Sequence, residues 1–340
     1  MGGSLSRELV KLGHEVTVSS RRPHEAVEGI DFLLGNALEN DFLQEVLSHK
    51  WDAIVDFMVR PTEEFRQVVP MFLSATDQYV FVSSYRVFAD SPVLTEDSAR
   101  LLDVVNDLDY LATDEYALAK ARCEDALAMA GDNWTIVRPA VTYDGSVKRL
   151  QLGPMETSLW LWRALKGVPV PVPAGMLTKQ ATMTYGGDVA RMIALLIGNP
   201  LAIGERFIVS TSDHMSWRDV ANVYESVLPF SLIECDLDAY CRALGTQYQV
   251  RYDRMFDRVI DNSKVLKVTG LTDENLTPMR VGLARELGIC LEAGDVSLAF
   301  GAGACGRLDR LTGGIGSMGE IARQFGPIGV AKYLFRRVLG

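Results

Sequence analysis

Apolar positions follow two alternating rhythms through the first 140 residues. Residues 3–12 put Leu5, Leu9 and Leu12 on one face and stop at Gly13, which predicts a short helix. Residues 14–19 alternate around Val16 and Val18 and predict a strand. Short apolar runs at 30–36, 51–58 and 78–82 predict three more strands, and 134–139 another that Pro139 ends. Helical spacing occupies about 38–48 and 62–74, and returns from Tyr116 through Leu127. Strands that alternate with helices in this way predict an α/β chain with a parallel sheet. Residues 85–111 hold Pro92, several carboxylates and no clear period, so a long loop is expected there.

From about residue 144 the alternation weakens. Residues 150–165 carry Trp160, Trp162 and Arg163, and 167–175 is a loop punctuated by prolines. Two tryptophans on one apolar stretch suit core packing more than stacking on a ligand. Gly187-Asp188-Val189-Ala190 opens a helix running to Leu196, residues 206–209 read as a strand, and Ser216-Trp217 starts another helix. After residue 290, Gly301, Gly303, Gly306, Gly313, Gly314 and Gly316 predict irregular turns before a basic helix near 328–338. The pattern assigns that last segment no function.

A chain of 340 residues with 48% hydrophobic composition can bury a large core, in one domain or two. Its net charge of −10 argues against a general nucleic-acid binder, which needs a basic face to displace counterions. Five cysteines form no C-x-x-C pair and read as reduced thiols of a cytoplasmic protein. Four scattered histidines suggest no metal site. Charges such as Arg163 and Arg191 interrupt the apolar runs, so no membrane span is expected and no membrane partner.

The candidate chemistry lies in Asp114-Glu115-Tyr116-Ala117-Leu118-Ala119-Lys120. Tyr116 and Lys120 are four apart on a predicted helix and share a face. A phenol ionises near ~10, and an adjacent ammonium favours the phenolate, which suits the pair to proton transfer at a hydroxyl or carbonyl. Upstream, the 78–82 strand ends at Ser83 and Ser84, a natural place for a third hydrogen-bonding group.

The opening helix, Gly13 and strand make the back half of a β-α-β unit. In a dinucleotide-binding unit a strand and a glycine-rich turn come first, and Gly2 falls where the third glycine of that turn would pack. The expectation is a start placed too late, the alternative a truncated unit with impaired cofactor binding. Ser20-Arg21-Arg22 stands where an NAD enzyme usually has an acid. These residues suit a 2′-phosphate and equally a solvated basic turn, which leans the cofactor reading to NADP. The 30–36 strand ends at Asn36, near where an adenine would lie.

Together these pieces resemble the extended short-chain dehydrogenase/reductase family, in its nucleotide-sugar epimerase/dehydratase branch. The likeness runs from Gly2 to about Leu271. It rests on Gly2 through Val18, Ser83-Ser84-Tyr85-Arg86-Val87-Phe88, Tyr116-x-x-x-Lys120, Ile136-Val137-Arg138-Pro139, Gly187-Asp188-Val189-Ala190 and Asp261-Asn262-Ser263-Lys264. The resemblance implies a Rossmann-like doubly wound parallel sheet over residues 1–145. A smaller C-terminal substrate-binding lobe would span 146–340, with about 181–210 returning to the main sheet.

The same resemblance makes Tyr116 the catalytic acid/base and has Lys120 lower its pKa and hold the nicotinamide ribose. It gives Ser84 the reacting oxygen, and NAD(P) would rest on Gly2, Ser20, Arg21, Arg22, Asn36, Tyr116, Lys120 and Pro139. A nucleotide sugar would meet Ser84, Tyr85, Arg163 and Arg251, with Arg149 a looser candidate, and helices near 62–74 and 112–130 would form a homodimer. The implied reaction is epimerisation through a transient 4-keto sugar; keto-sugar reduction and 4,6-dehydration are the alternatives in the branch. Tyr85-Arg86 replaces the Asp-Glu that dehydratases place after the serine, which weakens dehydration. A catalytically silent Rossmann-fold binding or RNA-associated protein is the alternative of another class.

Overall fold

The computed structural model describes residues 1–294 and 296–339. Helix α1 (Gly2–Lys11) leads into two parallel strands, β1 (Val16–Ser20) and β2 (Ile30–Leu34), which pair only with each other. After α2 (Asn40–Leu47) comes β3 (Trp51–Asp56), then α3 (Thr62–Ala75) and β4 (Thr76–Val82). The segment after β4 holds a short 3-10 turn at Tyr85–Val87 and two one-turn helices, α4 (Leu101–Val104) and α5 (Leu108–Leu111). The loop expected over 85–111 is thus partly ordered, because Ser84 caps the first turn and Asp107 caps α5 through Tyr110 N. Helix α6 (Tyr116–Ala130) and β5 (Trp134–Val137) complete this half.

The remaining elements are β6 (Val141–Tyr143), α7 (Thr157–Leu165), β7 (Val170–Pro173), β8 (Gln180–Ala181), β9 (Met183–Tyr185), α8 (Gly186–Leu196) and β10 (Glu205–Phe207). They continue with β11 (Met215–Ser216), α9 (Trp217–Val227), β12 (Leu232–Cys235), α10 (Leu237–Leu244), α11 (Gln247–Gln249) and α12 (Ser263–Thr269). The chain closes with α13 (Met279–Glu292), α14 (Ala302–Thr312) and α15 (Met318–Val338). Helix α14 and the first half of α15 replace the irregular turns expected after residue 290, and the second half of α15 is the basic helix expected near 328–338. Gly306 does not break α14: a Cβ there would run into the Tyr333 carbonyl, so it lets α14 and α15 approach closely. Gly313, at φ 73°, caps α14 in the left-handed region.

The main sheet is parallel, in the order β10-β5-β4-β3. Side chains along β4 alternate as the pleat requires. Tyr79 and Phe81 join Phe65, Phe72 and Leu127 from α3 and α6 on one face. Val80 and Val82 join Leu5, Val189 and Ile193 from α1 and α8 on the other. A larger cluster fills the C-terminal half, where Trp160 stacks on Tyr224 with ring centres 4.7 Å apart.

The sheet comes in two pieces. In the doubly wound order, a central strand would separate β1 from β3. Here β1 and β3 each pair on one side only. A single side chain ties the pieces together: Arg60 donates to Asp56 at 2.6 Å, at the end of β3, and to the Ala37 carbonyl at 2.7 Å, just after β2.

Candidate active site

Helix α6 begins at Tyr116 because Glu115 caps it, its carboxylate accepting from Ala117 N at 2.8 Å. One turn on, Lys120 is buried and donates to the Val82 carbonyl at 2.8 Å, which pins the helix to the carboxyl end of β4. Ser84, two residues past that strand, lies close enough to the Tyr116 hydroxyl for its side chain to favour the phenolate. The three side chains therefore meet at one end of the main sheet.

Burial raises the Tyr116 pKa above the ordinary phenol value, and the Arg86 and Arg149 charges and the Ser84 side chain oppose that rise. Lys120 was expected to do this work. Its Nζ is 5.9 Å from the Tyr116 ring centre, engaged with Val82, and burial lowers its own pKa. The nearer cation is Arg86, its guanidinium carbon 5.2 Å from the same ring centre. Arg86 donates to Glu115 at 2.6 Å, while its Nε is buried with no hydrogen-bond partner among the described residues.

Beyond Arg86 lies a buried ionic network. Asp253 accepts from Tyr85 Oη at 3.1 Å and Arg258 Nε at 2.9 Å, and also pairs with Arg254. Arg254 donates to Gly153 O at 2.9 Å and Gln151 Oε1 at 2.7 Å, and Arg258 to Phe88 O and Ala89 O. Such charges are tolerable inside a protein only when every one is paired or hydrogen-bonded. On the opposite side, the Met1 nitrogen at the start of α1 feels the charges of Asp144 and Arg149, the latter also acting on Tyr116. The start of α1, where unbonded N–H groups favour anions, thus shares its charged neighbours with the phenol.

No family model matches the sequence, and no curated protein matches it. Solved structures do match its fold. MoeE5, in complex with UDP-glucuronic acid and NAD, aligns with a TM-score of 0.65 at 18% identity, over 86% of this chain and 96% of its own. The epimerase Mth375 from Methanothermobacter thermautotrophicus gives 0.63 at 15% identity, over 86% and 89%. Human epimerase family protein SDR39U1, solved with NADPH, gives 0.58 at 16% identity, over 85% and 95%. The chain shares the fold of these solved structures.

Within this fold, the residues expected at the site are not all brought together. Ser84, Tyr116 and Lys120 are, and Pro139 lies beside them, its carbonyl accepting from Tyr85 N at 3.1 Å. Tyr85 is part of the buried ionic network rather than open to a ligand. Arg163 needs correcting as a substrate contact: it is fully buried and bonded to Asp309 at 2.8 Å, Pro169 O at 2.8 Å and Thr312 at 3.1 Å. Arg251 is paired with Asp238 of α10; the arginine of this segment that joins Tyr85 in the buried network is Arg254.

On the β1–β2 piece, Ser20 bonds His24 at 2.8 Å, Arg21 and Arg22 are exposed, and Asn36 bonds Glu39 at 3.2 Å. A Cβ on Gly2 would meet nothing within 4 Å, so the close packing expected of it is not realised. Arg86 and Arg254 were missed as site residues. Arg86 gave the one available signal, a cation where dehydratases of the branch carry acids.

Proposed function

We propose that the chain is an NAD(P)-dependent epimerase or keto-sugar reductase of nucleotide sugars, with Tyr116 as its acid/base. The observation that carries this reading is the meeting of Ser84, Tyr116 and Lys120 at the carboxyl end of β4. A nicotinamide dinucleotide, when bound, supplies reversible hydride transfer. The residues fit its nicotinamide end: an ammonium has three donors, of which Val82 takes one from Lys120, and the start of α1 offers an anion-favouring dipole. The lean to NADP rests on Ser20, Arg21 and Arg22 alone.

The chain's own task is the proton. The Tyr116 oxygen takes the proton of a sugar hydroxyl as its carbon is oxidised to a transient 4-keto group and returns it on reduction, with Ser84 holding the reacting oxygen. Arg86 stands where elimination would need a carboxylate, so epimerisation or reduction fits better than 4,6-dehydration. The neighbours bound to UDP-glucuronic acid and to NAD or NADPH support the substrate and cofactor class.

Replacement of Tyr116 by Phe tests this. Turnover of UDP-sugars with either dinucleotide is expected to fall by about 10²- to 10⁴-fold with the fold intact. Full activity in the variant overturns the assignment. A second reading, a catalytically silent binding protein of the same fold, is favoured by the interrupted sheet, in which β1–β2 and β10-β5-β4-β3 do not pair with each other among the described residues. Nicotinamide fluorescence separates the two: a silent protein quenches or enhances neither NADH nor NADPH.

A further inference from the structure

Helices α14 and α15 form a hairpin that is firmly fixed to the rest of the fold. Asp309 is fully buried and accepts from Arg163 at 2.8 Å, Ser317 N at 3.0 Å and Tyr333 Oη at 2.6 Å. The non-helical backbone at Gly326 breaks α15, and residues 327–338 turn Gly329 and Tyr333 inward. The opposite face is left open. Ile328 is 85% exposed, Phe335 54%, Val338 62% and Leu339 71%. Spaced seven, ten and eleven residues from Ile328, these side chains form one apolar stripe along the helix. A shallow apolar depression of about 450 Å³ lined by Ala322, Pro327, Val330, Ala331 and Leu334 adjoins it at the break.

Cations flank the stripe. Residues 321–340 contain Arg323, Lys332, Arg336 and Arg337 and no acid, in a chain of net charge −10. Lys332 and Arg336 reach across to α14, where a Cβ on Gly303 would lie 3.4 Å from each and 3.8 Å from Arg307. Arg307, Lys332 and Arg336 thus gather in one place, and none of them pairs with a carboxylate among the described residues. Burial and the Arg336 charge lower the Arg307 pKa, the signature of cations held against their repulsion. Among the described residues, Arg307 is held by the Ala243 carbonyl and Arg336 lies over the Phe335 ring, which leaves the cluster without a compensating acid.

We propose that this face docks the protein onto an anionic lipid surface. Ile328, Phe335, Val338 and Leu339 enter the acyl boundary, and Arg307, Lys332 and Arg336 meet the phosphate headgroups. The helix lies in the interface and does not cross it: among the described residues no helix is long and apolar enough to span a membrane. A second copy is the poorer occupant, because a two-fold contact through this patch brings two like-charged clusters together. The inference is independent of the enzymatic reading.

Co-sedimentation of the full chain with vesicles tests it. Binding is expected to phosphatidylcholine vesicles containing phosphatidylglycerol, not to phosphatidylcholine alone, and to weaken as salt rises. The double variants Ile328→Asn/Phe335→Asn and Lys332→Gln/Arg336→Gln should each cut binding by about tenfold, with unchanged circular dichroism and Tm. Wild-type protein that stays in the supernatant overturns the proposal, as do variants that bind equally well. A dimer in light scattering that the apolar variant dissociates assigns the face to a second copy and equally overturns it.

Discussion

The Arg86 guanidinium stands over the Tyr116 ring, 5.2 Å from its centre, while the Lys120 ammonium is 5.9 Å away and turned to the Val82 carbonyl. The cation that favours phenolate at Tyr116 is thus chiefly Arg86, acting against burial. Removing it raises the phenol pKa further. In Arg86→Gln, the limb of the pH–rate profile that requires phenolate should move to higher pH, and Lys120→Met should move it less. A larger shift from the lysine variant, read from kcat/KM against pH, refutes this order.

Arg163 and Asp309 are both buried, and each is the other's only charge partner among the described residues. Truncating Asp309 to Ala strands a buried guanidinium and frees Tyr333 and Ser317 as well. The cost should be about 3–5 kcal/mol in urea unfolding. Loss below about 1 kcal/mol would show that water reaches Arg163 in solution.

Arg60 joins the two pieces of the sheet through Asp56 and Ala37. Arg60→Met should therefore loosen β1 and β2 selectively. Amide exchange is expected to accelerate across residues 16–34 and to stay slow across β4, which is buried on both faces. Equal acceleration in both segments would mean that Arg60 supports the whole fold instead.

All five cysteines are buried, and burial pushes the Cys123 and Cys305 thiols up to about 12. Unfolded thiols ionise near ~8.5, so the folded state holds protons that the unfolded state releases. This contribution to stability is fully present below ~8.5 and is lost as pH rises toward the folded values. Native protein should resist a disulfide-exchange reagent at mildly alkaline pH, and all thiols should react once denaturant is added. Rapid labelling of Cys123 in the native state would contradict its placement.

The regular part of the fold was legible because period and location agreed: the helix expected at 62–74 is Thr62–Ala75, and the strand at 51–58 is Trp51–Asp56. Ser84, Tyr116 and Lys120 were legible because each sits at the end of, or on, such an element. Arg163 was not, since its partner Asp309 is 146 residues away and no local pattern announces the pair. The glycines after residue 290 misled for a related reason. A glycine that breaks a helix and one that lets two helices touch have the same composition, and only the Tyr333 carbonyl over Gly306 tells them apart.

Among the described residues, β1 and β3 each pair with a neighbouring strand along one edge only. A strand edge without a neighbour leaves main-chain groups to water, so β1 and β3 are held by fewer ladder bonds than a central strand. Amide exchange along those two strands should therefore outpace exchange along β4, which is paired on both sides.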